Sequence, residues 1–388
     1  MKFSCNTSDL LQALHLVSRA IGSQQALPIL GNILMDVHGS ECTVSATDLE
    51  LSMVTSFPAN IESEGTLTIP AKAILNFAQY NSDPEVLLEA HEGTNLRCTS
   101  KRAKTMIAGE AASEYPTITR IEKQTSFSLE ADPLLHALHL VTFASAKTSL
   151  RPVLSGIFVR GEAGQLTLVS TDSYRLSEYK MPVSAVGEGI SCIIPVKILE
   201  ELKVILGSHK TDRKEKEKEE GKKEEEKASS QTVEVSLSKQ QVEIQVGKTR
   251  LLSRLIDGKF PNYEQIIPKE AVTKVLFAVS EWTTIVKRMH YFAKEMNNTL
   301  TFHCADGQTR MITPQTQAGR DEATLQTDVN GTGNKIALSS SYLLDFLNHL
   351  DADTVEMRLQ DSQRPAVFVV PEDPNFLHLI MPLRMQEE

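Results

Sequence analysis

The chain repeats itself at a fixed spacing, and this limits the folds that are open to it. Segment 2–35, KFSCNTSDLLQALHLVSRAIGSQQALPILGNILM, aligns without gaps with segment 126–159, SFSLEADPLLHALHLVTFASAKTSLRPVLSGIFV. Phe3 matches Phe127, which lies 124 residues further along the chain. Self-similarity at one period indicates that a structural unit has been duplicated in tandem. We therefore expect similar domains that follow one another every 124 residues or so.

The same register continues beyond the first match. Segment 44–52, VSATDLELS, matches segment 168–177, LVSTDSYRLS, and each contains a Thr-Asp pair. Segment 67–75, LTIPAKAIL, matches segment 192–200, CIIPVKILE, at an offset of 125 residues. Agreement over this length makes coincidence an inadequate explanation.

The last part of the chain repeats the plan faintly. Segment 277–296, FAVSEWTTIVKRMHYFAKEM, has the pattern of a strand followed by an amphipathic helix, and segment 300–312, LTFHCADGQTRMI, contains another Asp after a strand. The fold class predicted is α+β, with three tandem domains that each hold two helices and antiparallel sheets. The predicted domain boundaries are 1–124, 125–268 and 269–388.

A charged insertion interrupts the second domain at about 207–231. Between Lys210 and Lys227 it holds eight basic and eight acidic residues, so nothing in it favours burial. We interpret it as a solvated loop, with a short helix supported by i,i+4 ion pairs as the alternative.

Composition and charge restrict the class of protein. The chain has 388 residues, 41% of them hydrophobic, and a net charge of −10 that argues against uniform attraction to nucleic acid but allows a local basic face. Its five cysteines have no metal or redox spacing, which favours reduced thiols. Because the sequence has neither a signal peptide nor an apolar run of about 20 residues, we expect a soluble cytoplasmic protein.

The predicted helices have polar faces that carry several basic residues. In the first helix Leu10, Leu11, Leu14, Val17 and Ile21 form an apolar stripe. The second helices of the first two domains contribute Lys72, Lys197 and Lys203. These are either ordinary surface helices or equivalent faces that together line a path for a phosphate backbone. A lining of this kind would bind DNA without reading its sequence.

The hydroxyl and carboxylate groups of STDSYRLS (170–177) are of the kinds found in catalytic sites. Asp172 recurs as Asp48 at the same repeat position, however, and Asp readily bonds its own backbone at a turn. We therefore predict that Asp172 is a turn residue. His136 and His139 have the spacing of a metal-binding pair, with Asp132 close by, but solvent-exposed histidines are the favoured interpretation. No catalytic or metal-binding residue is predicted.

Seven segments together resemble the bacterial sliding clamps, the β subunits of DNA polymerase III. The resemblance covers the chain apart from the insertion. It rests on MKFSC (1–5), LPILGNILM (27–35), ATDLE (46–50), STDSYRLS, LIDGKFPNYEQIIP (255–268), SYLLDFL (341–347) and MPLR (381–384).

The resemblance implies a head-to-tail homodimer that closes a ring of six domains around duplex DNA. Helices would line the hole, and the ring would tether the replicative polymerase and so confer processivity without chemistry or a cofactor. Partners implied are double-stranded DNA, a second copy of the chain, and the polymerase subunit, clamp loader and repair proteins that bind through short linear peptides. No membrane partner is implied.

The family also implies a pocket for the partner peptide between the second and third domains. Carried over position by position, its residues are Leu154, Thr171, Ser173, Tyr174, Arg175, Leu176, Pro261, Gln265, Ile266, Ser339, Tyr342, Gln363, Pro365, Leu379, Ile380, Met381, Pro382, Leu383, Arg384 and Met385. The DNA-contacting positions implied are Gln24, Lys72, Thr148, Pro152 and Val153.

The chain departs from the family pattern near this pocket. Ser173 and Tyr174 stand where Gly and His are common, and Gln265 stands where Arg is common. Gln24 replaces a common basic residue. These departures bear on peptide affinity and on the lining, while a hydrolase built on Asp172 and a scaffold that binds only proteins remain the rival hypotheses.

Overall fold

The computed structural model describes residues 1–23, 27–91, 93–148, 150–162, 164–183, 189–219 and 231–385, with the backbone alone for 209–219. Within this part of the chain, no helix combines the length and the apolar character needed to cross a bilayer. The chain forms two compact units, one of residues 1–132 with 197–255 and the other of residues 133–196 with 256–388.

The first repeat alternates strands with two helices. It comprises β1 (Lys2–Asn6), α1 (Thr7–Ser18), a 3₁₀ helix (Pro28–Gly31), β2 (Asn32–His38), β3 (Glu41–Thr47), β4 (Leu51–Pro58), β5 (Asn60–Ser63), β6 (Gly65–Pro70), α2 (Ala71–Gln79), β7 (Glu85–His91), β8 (Asn95–Thr99) and β9 (Lys104–Ala108). The apolar stripe predicted for the first helix is confirmed for Leu10, Leu14 and Val17, which are buried. Leu11 is half-buried, and Ile21 lies beyond the end of α1.

The second repeat follows the same order. It comprises β10 (Thr125–Glu130), α3 (Ala131–Val141), a 3₁₀ helix (Pro152–Ser155), β11 (Gly156–Glu162), β12 (Gln165–Thr171), β13 (Arg175–Pro182), β14 (Ile190–Pro195), α4 (Val196–Glu219), β15 (Thr232–Leu237), β16 (Gln241–Val246) and β17 (Thr249–Arg254). Strands β11, β12 and β13 begin and end 124 residues after β2, β3 and β4. The repeat seen in the sequence is therefore a repeat of structure.

The third repeat is the most divergent. It comprises β18 (Thr273–Ala278), α5 (Val279–Ala293), β19 (Thr299–Ala305), β20 (Gln308–Ile312), β21 (Glu322–Gln326), β22 (Asp328–Gly331), β23 (Asn334–Ser339), α6 (Ser340–Leu347), β24 (Thr354–Leu359), β25 (Ala366–Val370) and β26 (Asp373–Ile380). Antiparallel strands with two helices per repeat confirm the predicted α+β class.

In the first unit, two antiparallel sheets have the strand orders β5-β1-β7-β8-β9 and β10-β15-β16-β17-β4-β3-β2-β6. The larger sheet joins the first two repeats, because β17 pairs with β4. Leu251 lies opposite Met53 in that pairing. The last strand of the second repeat is thus hydrogen-bonded to the fourth strand of the first.

In the second unit, the two antiparallel sheets have the orders β14-β11-β12-β13-β26-β25-β24-β18-β22 and β21-β20-β19-β23. Here β26 pairs with β13, and Leu379 lies opposite Leu176. Strand β13 is the repeat equivalent of β4, and β26 is the last strand of its own repeat. The same kind of strand pairing therefore joins each repeat to the next.

The interpretation of the whole insertion as a loop is wrong for its first part. Helix α4 continues to Glu219, so residues 207–219 are helical. Glu and Lys have high helix propensity and support each other at i,i+4, which favours a helix in this charged sequence. Residues 220–230 lie outside the described part of the chain, and the three domain boundaries stay predictions.

Candidate binding pocket at the second Thr-Asp corner

The turn between β12 and β13, residues 171–174, is the second corner. The Thr171 hydroxyl donates to the carbonyl oxygen of Arg175 at 2.6 Å. The Asp172 carboxylate accepts from the backbone N–H groups of Tyr174 at 2.9 Å and Arg175 at 3.0 Å. Ser173 lies in the left-handed region, with φ of 79°. The carboxylate of Asp172 is therefore engaged in holding the turn.

The first corner, residues 47–50, has the same construction. The Thr47 hydroxyl donates to the Leu51 carbonyl, and the Asp48 carboxylate accepts from the N–H groups of Glu50 at 3.1 Å and Leu51 at 2.8 Å. Leu49 has φ of 76°, close to the value at Ser173. The prediction that Asp172 is a turn residue is confirmed.

The corner of the third repeat is built differently. Asp306 itself is left-handed with φ of 51°, and Gly307 follows with φ of 73°. Two successive residues with positive φ are typical of a tight hairpin turn, and they join β19 directly to β20. Asp306 is thus not equivalent to Asp48 and Asp172.

Arg175 connects the second corner to helix α6. Its side chain is buried, and its guanidinium donates to Asp172 at 3.0 Å and to Asp345 at 2.7 Å. The guanidinium carbon also lies 4.8 Å from the centre of the Tyr342 ring. A buried cation needs such partners, because an unpaired charge away from water is costly.

An apolar cluster lies beneath the corner, and we call it the floor. Its members are buried hydrophobic residues from five strands and the segment after β17: Val169, Leu176, Ile193, Phe260, Tyr263, Val367 and Leu379. Val153, Ile267 and Met381 pack against it. Leu176 and Leu379 are fully buried, so they support the site from below.

The structure distributes the predicted pocket residues over three levels of exposure. Eight are buried: Leu154, Thr171, Arg175, Leu176, Ser339, Pro365, Leu379 and Ile380. Five are half-buried: Tyr342, Met381, Pro382, Leu383 and Met385. Seven are exposed: Ser173, Tyr174, Pro261, Gln265, Ile266, Gln363 and Arg384.

The C-terminal segment runs from the corner to another sheet. The N–H of Met381 donates to the Tyr174 carbonyl at 2.8 Å, and the N–H of Leu383 donates to the Ala337 carbonyl at 2.8 Å. Two main-chain bonds therefore fix the segment between β13 and β23, beside Tyr174.

Several residues that complete this region were not among the predicted pocket positions. The Tyr263 hydroxyl donates to the buried Glu178 carboxylate at 2.6 Å, and burial together with this carboxylate raises the pKa of Tyr263. Phe143 lies with its ring centre 5.6 Å from the Arg175 guanidinium. Asp345 could have been found, because it lies in the SYLLDFL motif, whereas nothing local in the sequence pairs Glu178 with Tyr263.

The positions predicted to contact DNA differ in their surroundings. Gln24 lies outside the described residues. Lys72, Thr148 and Pro152 are exposed, and Val153 is half-buried against the floor. Lys197 and Lys203 are already paired with carboxylates, the former with Asp48 and the latter with Glu200 at 2.9 Å.

The histidines considered as a metal pair have other partners. His136 lies 2.9 Å from the Asp373 carboxylate, and the His139 ring packs on His349 with centres 4.9 Å apart. Within the described part of the chain, no group of three His, Cys, Asp or Glu side chains is arranged to hold a metal ion.

Three repeats of this kind, joined by shared antiparallel sheets, define the clamp class of DNA-replication proteins. Models of the DNA polymerase III beta subunit match the N-terminal domain at 1–119, the central domain at 128–214 and the C-terminal domain at 264–384. The chain therefore belongs to the bacterial DNA polymerase III beta subunit family, the sliding clamps. Its function is that of a processivity subunit without catalytic activity, so the hydrolase hypothesis is wrong.

Individual relatives cover the whole chain. The beta sliding clamp of Synechocystis sp. is 26% identical over 407 residues, which span 99% of this chain and 100% of the relative. That of Vibrio cholerae is 25% identical over 386 residues, with the same coverage. The solved structure of the Bartonella birtlesii sliding clamp bound to griselimycin is 25% identical, with a TM-score of 0.90 over 99% of this chain and 100% of that one.

Proposed function

We propose that the pocket at the second corner binds short linear peptides of the replicative polymerase and of other partners. The observation that carries the proposal is the buried apolar floor directly beneath exposed side chains of the corner. An apolar surface with a few placed polar groups is what a peptide anchor requires. Ile266 is 41% exposed although it is a large apolar residue, which suits a surface that a partner covers.

A binding titration tests this proposal. We expect Ile266→Glu to weaken binding of a polymerase-derived peptide at least tenfold, because a carboxylate would enter the apolar contact. Val272→Glu is the matched control, since Val272 is also exposed, at 47%, but lies just before β18. Equal affinities of the two variants would refute the assignment of the pocket.

We propose further that two copies of the chain close head to tail through β9 and β21. Within the chain, β4 pairs with β17 and β13 pairs with β26. The third-repeat equivalent of β4 and β13 is β21, and the first-repeat equivalent of β17 and β26 is β9. Both of these strands are sheet edges. Repeating the internal pairing once more, between copies, would give each edge strand a partner.

Exposed apolar side chains accompany both edges. Met106 on β9 is 48% exposed, and Tyr291 on α5 is 68% exposed. The Tyr291 ring packs on Phe292, which in turn lies beside Gly319, three residues before β21. A heterologous contact between these two ends generates a closed ring when the rotation closes.

Light scattering tests the dimer. We expect the wild type to have the mass of a dimer and Met106→Glu that of a monomer, because the introduced carboxylate would be buried without a partner. Val204→Glu is the control, since Val204 is 42% exposed on α4. A monomeric wild type, or a dimeric Met106→Glu variant, would contradict the β9–β21 contact.

A ring around DNA makes a separate prediction about retention. Encirclement needs no strong or base-specific contact, so the loaded protein should stay on circular DNA and slide off once the DNA is cut. Loss from circular DNA as fast as from linear DNA would favour the alternative of a scaffold that binds only proteins.

A further inference from the structure

We infer that Tyr174, Tyr342 and Asp345, which we call the rim, form a subsite for a Lys or Arg side chain of the docked peptide. The inference rests on the proposed peptide pocket and adds the chemistry of one contact. It concerns residues that are accessible around the corner, whereas the floor supplies the apolar contact.

The rim presents two aromatic faces. Tyr174 is 61% exposed, and its ring is nearly parallel to that of Tyr342, with centres 6.4 Å apart and planes 20° from each other. The face of a phenol ring attracts a cation within about 6 Å of its centre. Tyr342 already interacts with one cation in this way, since the guanidinium of Arg175 lies 4.8 Å from the ring centre.

The rim also carries negative charge in excess. Arg175 is shared between the carboxylates of Asp172 and Asp345, so this cluster of two anions and one cation has one negative charge left over. The Asp345 side chain is 50% exposed, which leaves it accessible to a partner. Burial, and then the nearby Asp172, raise the pKa of Tyr342. An incoming ammonium or guanidinium group would balance the charge.

The subsite is specific to the second corner. At the first corner the position equivalent to Tyr174 is Glu50, and the carboxylate of Asp48 is paired with Lys197. The identical turn therefore offers no exposed aromatic face there, although the exposed Glu50 adds a carboxylate. Among the predicted pocket residues, Gln265 is neutral and exposed and would not repel a basic peptide.

A set of peptides tests the inference. The probes share an apolar anchor segment, and a single Lys is placed in turn at each flanking position and compared with norleucine and with Glu at that position. We expect one Lys peptide to bind roughly fivefold to tenfold tighter than its norleucine counterpart, with the Glu peptide weakest. The Lys preference should shrink as salt is added, because the carboxylate is partly exposed.

Variants of the rim residues test whether the rim causes the preference for the Lys peptide. Tyr174→Leu keeps an apolar side chain but removes the ring face, and Asp345→Asn removes the charge, so each should abolish the Lys preference while the norleucine peptide still binds. Tyr80→Leu and Asp351→Asn are controls at other exposed positions. If the wild-type protein binds every peptide equally, or if the rim variants keep the Lys preference, the inference fails while the proposed peptide pocket is unaffected. If no anchor peptide binds, the proposed pocket itself fails, and the inference with it.

Discussion

Leu49 and Ser173 adopt the same left-handed backbone conformation 124 residues apart, with φ of 76° and 79°. Neither is glycine, and a left-handed L-residue costs about 1–2 kcal/mol. The cost is offset at both corners by the same hydrogen bonds, from a Thr hydroxyl to a carbonyl and from two N–H groups to an Asp carboxylate. The two corners are thus one structure, and their stabilities can be compared directly.

Replacing the corner aspartates should destabilise the chain unequally. Asp172→Ala removes the acceptor of two N–H groups and one partner of the buried Arg175, so we expect a loss of about 3 kcal/mol in the free energy of unfolding. Asp48→Ala removes equivalent N–H bonds but only an exposed lysine partner, and should cost about 1–2 kcal/mol. Urea unfolding followed by circular dichroism measures both. An equal loss of unfolding free energy in the two variants, or a larger loss for Asp48→Ala, would contradict the stabilising role of the Asp172–Arg175 pair.

The bond from Tyr263 to Glu178 should contribute to stability at neutral pH. Tyr263→Phe leaves the buried carboxylate without this donor, and we expect a loss of about 1–3 kcal/mol. Tyr80→Phe, at an exposed position, is the matched control and should change little. A loss of the same size in both variants would show that the hydrogen bond is unimportant.

The same tyrosine should make stability fall at alkaline pH. Its pKa is raised in the folded chain by burial and by Glu178, so its contribution is complete below the ordinary tyrosine pKa of about 10. Above that pH the unfolded chain loses the proton first, and stability declines. The stability gap between wild type and Tyr263→Phe should therefore narrow above pH 10 or so. A stability difference that does not change with pH would contradict the raised pKa of Tyr263.

The cysteines should be unreactive in the folded chain. Burial raises the pKa of Cys5 and Cys98 to about 12 and that of Cys192 and Cys304 to about 11, and Cys42 is also buried with a raised pKa. Because the thiolate is the reactive form, a thiol reagent at neutral pH should modify the native protein slowly and all five thiols rapidly after denaturation. Cys192, which is half-buried, should react first. Rapid native labelling of Cys42 would overturn this expectation.

Acid should weaken the second unit through His378. This imidazole is fully buried, and burial, then Arg175 and His349, hold its pKa well below the usual value. The unfolded chain takes up the proton below about pH 6.5 while the folded chain does not, so stability should fall by roughly 1.4 kcal/mol per pH unit as the pH decreases further. His378→Phe should flatten that slope, because Phe does not titrate. An unchanged slope would place the acid sensitivity elsewhere.

The repeat, the helices and the corners could be predicted because their signals are local or periodic. Matching segments predicted the strands of the second repeat, and the recurrence of Asp48 at Asp172 identified the turn. The pairing of β13 with β26 could not be predicted, since it joins residues about 200 apart and no local pattern sets that register. The same holds for the bond between Glu178 and Tyr263 and for the ion pair between Asp48 and Lys197.

The exposure of individual pocket residues could not be predicted from the sequence, for a related reason. Leu176 lies near the start of β13 and Tyr174 lies two residues before it, in the corner, yet Leu176 is fully buried and Tyr174 is largely exposed. Alternation along a strand predicts opposite faces for neighbours, not for residues two apart. The left-handed Ser173 turns the chain within the corner, so Tyr174 does not follow the alternation of β13 to which Leu176 belongs.

In both corners, the residues that fix the turn are different from the residues that face outward. Thr and Asp hold the turn through backbone atoms, so the side chains at 49–50 and 173–174 point outward with little influence on the sheet. The two outward-facing residues of such a corner can therefore be exchanged without changing the turn. Grafting Ser-Tyr into the first corner should leave the strands in place and put an aromatic side chain on a new surface. Duplication of this unit would then have supplied a spare copy on which recognition could diverge while the framework stayed constant.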